Sequence, residues 1–200
     1  MVPTAVPAVA PTVAPAVALS SGTSMANRKL AKEIGRMKRP GMREEACLAF
    51  DIIDDADLYV WKARYYPPEP DDKSSEQEKN LHAGCVSHNK EYIEFRLRFP
   101  PDYPFSPPFV WNYYPQIEKS CVFSNGGICH QQLSLQQNNG WAPQMSPETL
   151  MVGVISTIKT YPNMRIKEGA HHPNLEDGAR KDFTRIESAH SNGWPVQPPK

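Results

Sequence analysis

Phe99-Pro100-Pro101-Asp102-Tyr103-Pro104-Phe105-Ser106-Pro107-Pro108, residues 99–108, carries five prolines in one short run. Each proline removes a backbone donor and fixes its own φ, which predicts a rigid crossing between strands that makes no hydrogen bonds of its own. The flanks agree. Upstream, Ile93, Phe95, Leu97 and Phe99 alternate with Glu94, Arg96 and Arg98, the two-residue period of a half-buried antiparallel strand over about 92–99. Downstream, Phe109 to Tyr113 reads as an aromatic strand, and two earlier strands are expected at 48–53 and 58–65. Phe105 has two readings, an exposed anchor for a partner or a plug of the core beneath the crossing.

Beyond the aromatic strand the chain reaches Ser124-Asn125-Gly126-Gly127-Ile128-Cys129. Two adjacent glycines leave the backbone bare beside a cysteine, room in which another polypeptide's terminus could be laid against the sulfur. A thiolate is a strong nucleophile near neutral pH, and a thioester formed on it stays reactive toward a second nucleophile. Cys129 is the candidate nucleophile; its plainer reading is a small apolar residue after a turn.

Helices frame these strands. Leu30, Ile34 and Met37 share one face of a helix expected over 27–38, with Ser24 or Asn27 as cap and Pro40-Gly41 as stop. Its other faces carry Arg28, Lys29, Lys32, Arg36 and Lys38, either a solvated surface or a dock for an acidic partner. Ser146-Pro147-Glu148 opens a helix whose stripe is Leu150, Met151, Val154, Ile155 and Ile158. A last helix is expected at about 176–190, with Ala179, Phe183 and Ile186 on one side and Asn192-Gly193 as its end. Residues 67–90, polar and bearing Pro67-Pro68, Asp71-Asp72 and Ser74-Ser75, are expected as a long mobile loop.

Residues 1–24 are nearly all Ala, Val, Pro, Thr and Ser, with prolines at 3, 7, 11 and 15, and predict a disordered, extended tail rather than a signal peptide. The remainder, 25–200, suits one domain. The 22 basic and 22 acidic residues cancel, so bulk charge argues for neither nucleic acid nor an anionic membrane. Four cysteines without a CxxC pair point to free thiols in a reducing compartment, cytoplasmic or nuclear. No apolar run approaches the roughly 20 residues of a membrane helix.

The order of basic helix, antiparallel strands, Tyr103-Pro104-Phe105-Ser106-Pro107-Pro108, Asn125-Gly126-Gly127-Ile128-Cys129, Trp141-Ala142-Pro143 and an apolar helix resembles the ubiquitin-conjugating enzyme family. The tail with His190-Ser191-Asn192-Gly193-Trp194 and Pro198-Pro199-Lys200 is similar to the Q-type subfamily. The resemblance implies an α+β fold with an N-terminal helix, a four-stranded antiparallel sheet and following helices. It also implies a relay in which Cys129 accepts ubiquitin as a thioester from an activating enzyme and passes it to a substrate or ligase. The activating enzyme spends the ATP, and this chain needs no cofactor. Arg28, Lys29 and Lys32 of the first helix, with Phe105 and the Pro143-Gln144 loop, would meet activating enzyme and ligase, while Trp141 would pack the core.

One departure is plain. Most members carry His-Pro-Asn upstream of the cysteine, and ungapped counting puts Lys119-Ser120-Cys121 there. The missing amide would serve an oxyanion or order the nearby loop, and Q-type members lack the same triplet. His130 and His190 are the candidate substitutes, since imidazole takes protons near neutral pH; His190 could also simply end its helix. An acidic loop after Ile158 is absent too, so the acceptor is open between lysine and hydroxyl. A catalytically inactive binding module, like the related RWD domains, is the alternative. A papain-like protease lacks its signature, and a zinc site from Cys121, Cys129, His130 and His171-His172 matches no common spacing, so no metal is expected.

Overall fold

The computed structural model describes residues 22–37, 45–134 and 140–191. Residues 1–21 of the disordered tail expected over 1–24, the stop at Pro40-Gly41, the cap at Asn192-Gly193 and Trp194 lie outside the described residues, whereas Thr23 and Ser24 are not tail: Thr23 is bonded to Pro101 and Ser24 opens the first helix.

The chain is α+β. Helix α1, Ser24–Met37, is followed by β1, Leu48–Asp54, and β2, Asp57–Tyr65. Then come α2, Glu76–Ser87, β3, Ile93–Arg98, and β4, Phe109–Tyr114. The short β5, Ile117–Glu118, precedes α3, Pro147–Lys159, β6, Arg165–Ile166, and α4, Glu176–Ser191. The four long strands form one antiparallel sheet in the order β1-β2-β3-β4, and β5 pairs with β6. This is the architecture that the motifs imply.

The alternation read in β3 is the one that folds. Ile93, Phe95 and Leu97 are buried, as are Trp61, Ala63 and Tyr65 on β2, whose register sets Trp61 opposite Leu97 and Ala63 opposite Phe95. Burying each large apolar side chain contributes roughly 1.5–3 kcal/mol, so this inner face is the main stabilising layer. Leu150, Met151, Val154, Ile155 and Ile158 of α3 complete the core against it. The Ser146 hydroxyl accepts from the Thr149 amide at 3.1 Å and Pro147 opens the helix, the start chemistry expected. Helix α1 begins at Ser24, earlier than expected, because Thr23 is the residue whose hydroxyl accepts from the Ala26 amide.

Two expectations are corrected. The segment read as a long loop contains helix α2, started by a capping box in which Ser75 and Glu78 satisfy each other's backbone. Only Leu81 and Cys85 of this helix are buried, so its apolar periodicity is faint. Its support is tertiary: a Cβ on Gly84 would lie 2.3 Å from Ile166 of β6, and Lys159 of α3 reaches Glu78 at 3.0 Å. The proline crossing is also hydrogen-bonded within itself, the Tyr103 and Phe105 amides each donating over 3.0 Å to the Pro100 and Asp102 carbonyls. Its Tyr103-Pro104 peptide is cis.

Candidate active site

Cys129 ends a tight hairpin. Val122 faces Ile128 in an antiparallel bridge, Phe123 N–H donates to Gly127 O at 2.8 Å, and Cys129 N–H donates to Cys121 O at 2.9 Å. The hairpin is fastened to the sheet: Asn112 of β4 donates its amide N–H to Gly126 O at 2.9 Å. The Asn112 side chain is fully buried between the Pro115 carbonyl and the Ile117 amide. The sulfur therefore sits on the core sheet rather than on a free loop.

The glycines serve the chain's own packing, which corrects the expectation that their bare backbone awaits an incoming terminus. Gly126 has φ +89, and a Cβ there would lie 2.4 Å from the Asn112 carbonyl oxygen. A Cβ on Gly127 would lie 2.5 Å from Cβ of Asp182 and 2.9 Å from the Ala179 carbonyl. Both positions are buried, and helix α4 is what covers Gly127.

Helix α4 is latched to the hairpin by its polar residues. Asp182, buried, accepts from the Asn125 amide at 2.9 Å and from Asn125 Nδ2 at 3.2 Å, with Arg185 also on its Oδ1. Five residues on, Glu187 Oε2 accepts from the Ser134 hydroxyl at 3.2 Å. In the last turn, His190 Nε2 stands 3.6 Å from Cys129 Sγ, within reach of a sulfur hydrogen bond. His190 is exposed and Cys129 half-buried, so the pair lies at the surface end of the cleft.

Burial pushes the Cys129 thiol up from its ordinary value, and the Glu187 carboxylate pushes it the same way. The resting sulfur is therefore a neutral thiol at pH 7. Cys121, opposite it in the hairpin, is buried and pushed up to about 12, mainly by loss of solvent. Ser120 is fully buried with its hydroxyl on the Val122 amide. Lys119-Ser120-Cys121 thus presents no side-chain amide where the family triplet would.

The two candidate histidines part company. His130 caps a short 3-10 turn, Gln131–Leu133, accepting the Gln132 amide on Nδ1 at 3.3 Å while a Gly153 backbone bond also engages the ring. Burial lowers its proton affinity and that bond partly offsets the effect. With both interactions made, it is His190 that the fold offers to the sulfur. Among the described residues no group of three His, Cys, Asp or Glu side chains is placed to hold a metal.

The expected partner surface is assembled from three elements. Thr23 N–H donates to Pro101 O at 3.1 Å, joining the start of α1 to the crossing. Trp141 Nε1 donates to Pro104 O at 2.8 Å, tying the stretch that leads to Pro143 and Gln144 to the crossing. Trp141 is half-buried with its ring 6.2 Å from that of Tyr103, a packing role with a polar handle. Phe105 is 62% exposed and therefore does not plug the core. Arg28 and Lys32 are exposed, whereas Lys29 is held by the buried Glu33 at 2.9 Å.

Asp182, Glu187 and Tyr161, whose hydroxyl is pushed up by burial and then by Cys121 and Cys129, are the neighbours the sequence reading missed. A signal existed for two of them. Asp182 and Glu187 fall on the same helical arc as Ala179, Phe183 and Ile186, and acids inside an apolar arc mark buried contacts.

No family model matches the chain. A Q-like ubiquitin-conjugating enzyme protein of Drosophila melanogaster is 26% identical over 173 residues, covering 86% of this chain and 53% of that protein. Ubiquitin-conjugating enzyme E2 Q1 of Homo sapiens is 25% identical over 182 residues, 90% of this chain and 41% of that protein. The chain spans about half the length of these curated relatives. Among solved structures, human ubiquitin-conjugating enzyme E2 G1 is 26% identical with a TM-score of 0.47, covering 70% of this chain and 96% of its own. A Plasmodium vivax ubiquitin-conjugating enzyme is 21% identical with a TM-score of 0.46, covering 65% and 98%. The curated relatives bear out the resemblance to Q-type ubiquitin-conjugating enzymes that the motifs carry.

Proposed function

We propose that this chain is a ubiquitin-conjugating core that carries ubiquitin as a thioester on Cys129. The observation that supports the reading best is the Cys129–His190 pair at 3.6 Å, at the end of the Asn-Gly-Gly-Ile hairpin. In the charging step the Cys129 proton passes to His190 Nε2, and the sulfur attacks the carbonyl carbon of the ubiquitin C-terminus. The bond to the activating enzyme's sulfur breaks, that sulfur leaves as thiolate, and the exposed His190 gives up its proton to solvent. In the discharge step an amine, hydroxyl or ligase thiol attacks the same carbonyl, His190 takes the acceptor's proton, and Cys129 leaves. No electrons are exchanged, and the ATP is spent by the activating enzyme, so this chain uses no cofactor.

Phe105, Pro143, Gln144 and the α1 cations Arg28, Lys29 and Lys32 form the face for activating enzyme and ligase. Free thiols at Cys47, Cys85, Cys121 and Cys129 suit the reducing cytosol or nucleus.

A second reading, a binding module without chemistry, is favoured by the raised Cys129 thiol and by the absence of a side-chain amide at 119–121. One experiment separates them. The chain is incubated with activating enzyme, ubiquitin and ATP and run on a non-reducing gel. The relay gives a thiol-sensitive adduct that Cys129→Ala abolishes and Cys121→Ala retains; the binding module gives no adduct and ubiquitin binding that survives Cys129→Ala.

A further inference from the structure

We infer that Glu187 is a positioning residue for the Cys129–His190 pair, holding the last turn of α4 so that the imidazole stays over the sulfur. The inference rests on the reading of Cys129 as the acyl carrier. Glu187 and His190 are three apart on α4, so their side chains are neighbours on one face. The carboxylate is fixed by the Ser134 hydroxyl, and Ser134 closes the turn that follows Cys129 and His130. Asp182 makes the matching tie to Asn125 on the other side of the cysteine. Helix α4 thus grips the chain before and after the sulfur, and His190, three residues beyond Glu187, meets the sulfur that lies between the gripped positions.

The groups facing Cys129 are Cys121 from the opposite hairpin strand, Tyr161 after α3, and Glu187 and His190 from α4. Glu187 is the carboxylate among them. A fixed negative charge there opposes thiolate formation in the resting chain, as the raised thiol reflects. The carboxylate's tie to Ser134 meanwhile holds the turn of α4 from which His190 takes the acceptor's proton. One residue therefore acts in opposite directions on two reactions of the same site, which packing alone would not do.

The test compares wild type, Glu187→Ala and Glu187→Gln in two assays at one fixed neutral pH. The first is alkylation of Cys129 by iodoacetamide, read by peptide mass without ubiquitin. The second is single-turnover discharge of the preformed thioester to free lysine and to glycerol. Glu187→Ala is expected to alkylate about threefold faster and to discharge about tenfold more slowly, whereas Glu187→Gln, which keeps an acceptor for Ser134 but not the charge, alkylates as fast as Glu187→Ala and discharges at the wild-type rate. In Glu187→Ala, alkylation that is unchanged or slower, discharge that is unchanged, or parallel losses in both assays overturns the proposal. A wild-type chain that never forms the thioester overturns it together with the carrier reading, and the ubiquitin-free alkylation assay shows which of the two failed first.

Discussion

His190 Nε2 stands 3.6 Å from Cys129 Sγ across 61 positions of chain, and the helix that brings it there is seated on the glycine preceding Ile128. Proton transfer by a positioned imidazole typically contributes about 10² to 10⁴ in rate. His190→Ala is therefore expected to slow discharge of preformed thioester by about 10²-fold. The check is single-turnover decay after the activating enzyme is quenched; decay at the wild-type rate would remove His190 from the mechanism.

Gly127→Ala tests the seat of α4. Its Cβ would lie 2.5 Å from Asp182 Cβ, so the helix has to shift away from the hairpin. Overpacking of this kind costs about 1–3 kcal/mol. Denaturant unfolding should show that loss, and discharge should slow with it because His190 is carried on the same helix. Wild-type stability with wild-type discharge would mean that α4 does not rest on Gly127 in solution.

Asp182→Ala removes the acceptor for the Asn125 amide and for Arg185. Hydrogen exchange at the Asn125 amide is expected to speed up, and an unchanged rate would count against the latch.

How much of this was legible in the sequence depends on range. The period of Ile93, Phe95 and Leu97 is written in consecutive residues, and the strand formed as read. Ser146-Pro147 likewise carries its helix start locally. Helix α2 was missed although Ser75 and Glu78 spelled its cap, because only Leu81 and Cys85 face the core and its support comes from Ile166 and Lys159. The glycines announced missing side chains, but not that Asp182, on α4, fills the space beside Gly127. Cys129 and His190 were each named from local motifs. Their contact is a product of α4 docking, through Asp182 on Asn125 and Glu187 on Ser134, which no local pattern encodes.

Alkaline stability follows from two buried thiols. Cys85 and Cys121 are each pushed up to about 12 from an ordinary 9.0, chiefly by burial. The folded state binds their protons more tightly than the unfolded chain does. That stabilisation is fully present below about pH 9 and is lost as pH rises toward 12. Tyr65 and Tyr103, raised the same way by burial, add to the loss at the upper end. Melting temperature should hold up to about pH 9 and then fall. Cys85→Ala should lessen the slope, and an identical slope would show that this thiol is not buried.

Phe105→Ala separates surface from core. At 62% exposure the ring contributes little to folding, and unfolding free energy should stay within about 0.5 kcal/mol of wild type. Titration of the activating enzyme or a ligase should show weaker binding, by about 2 kcal/mol if Phe105 is an interface anchor. Loss of stability without loss of binding would reverse the assignment.

Whether the sulfur of residue 129 carries ubiquitin is read from intact and peptide mass spectrometry of Cys129→Ser after incubation with activating enzyme, ubiquitin and ATP. A serine oxygen forms an ester where cysteine forms a thioester, and the ester survives reductant. The account predicts a reductant-resistant ubiquitin adduct mapped to position 129, beside a reductant-labile adduct in the wild type. An adduct mapped to Cys121 or to any other residue, or no adduct in either protein, would contradict it.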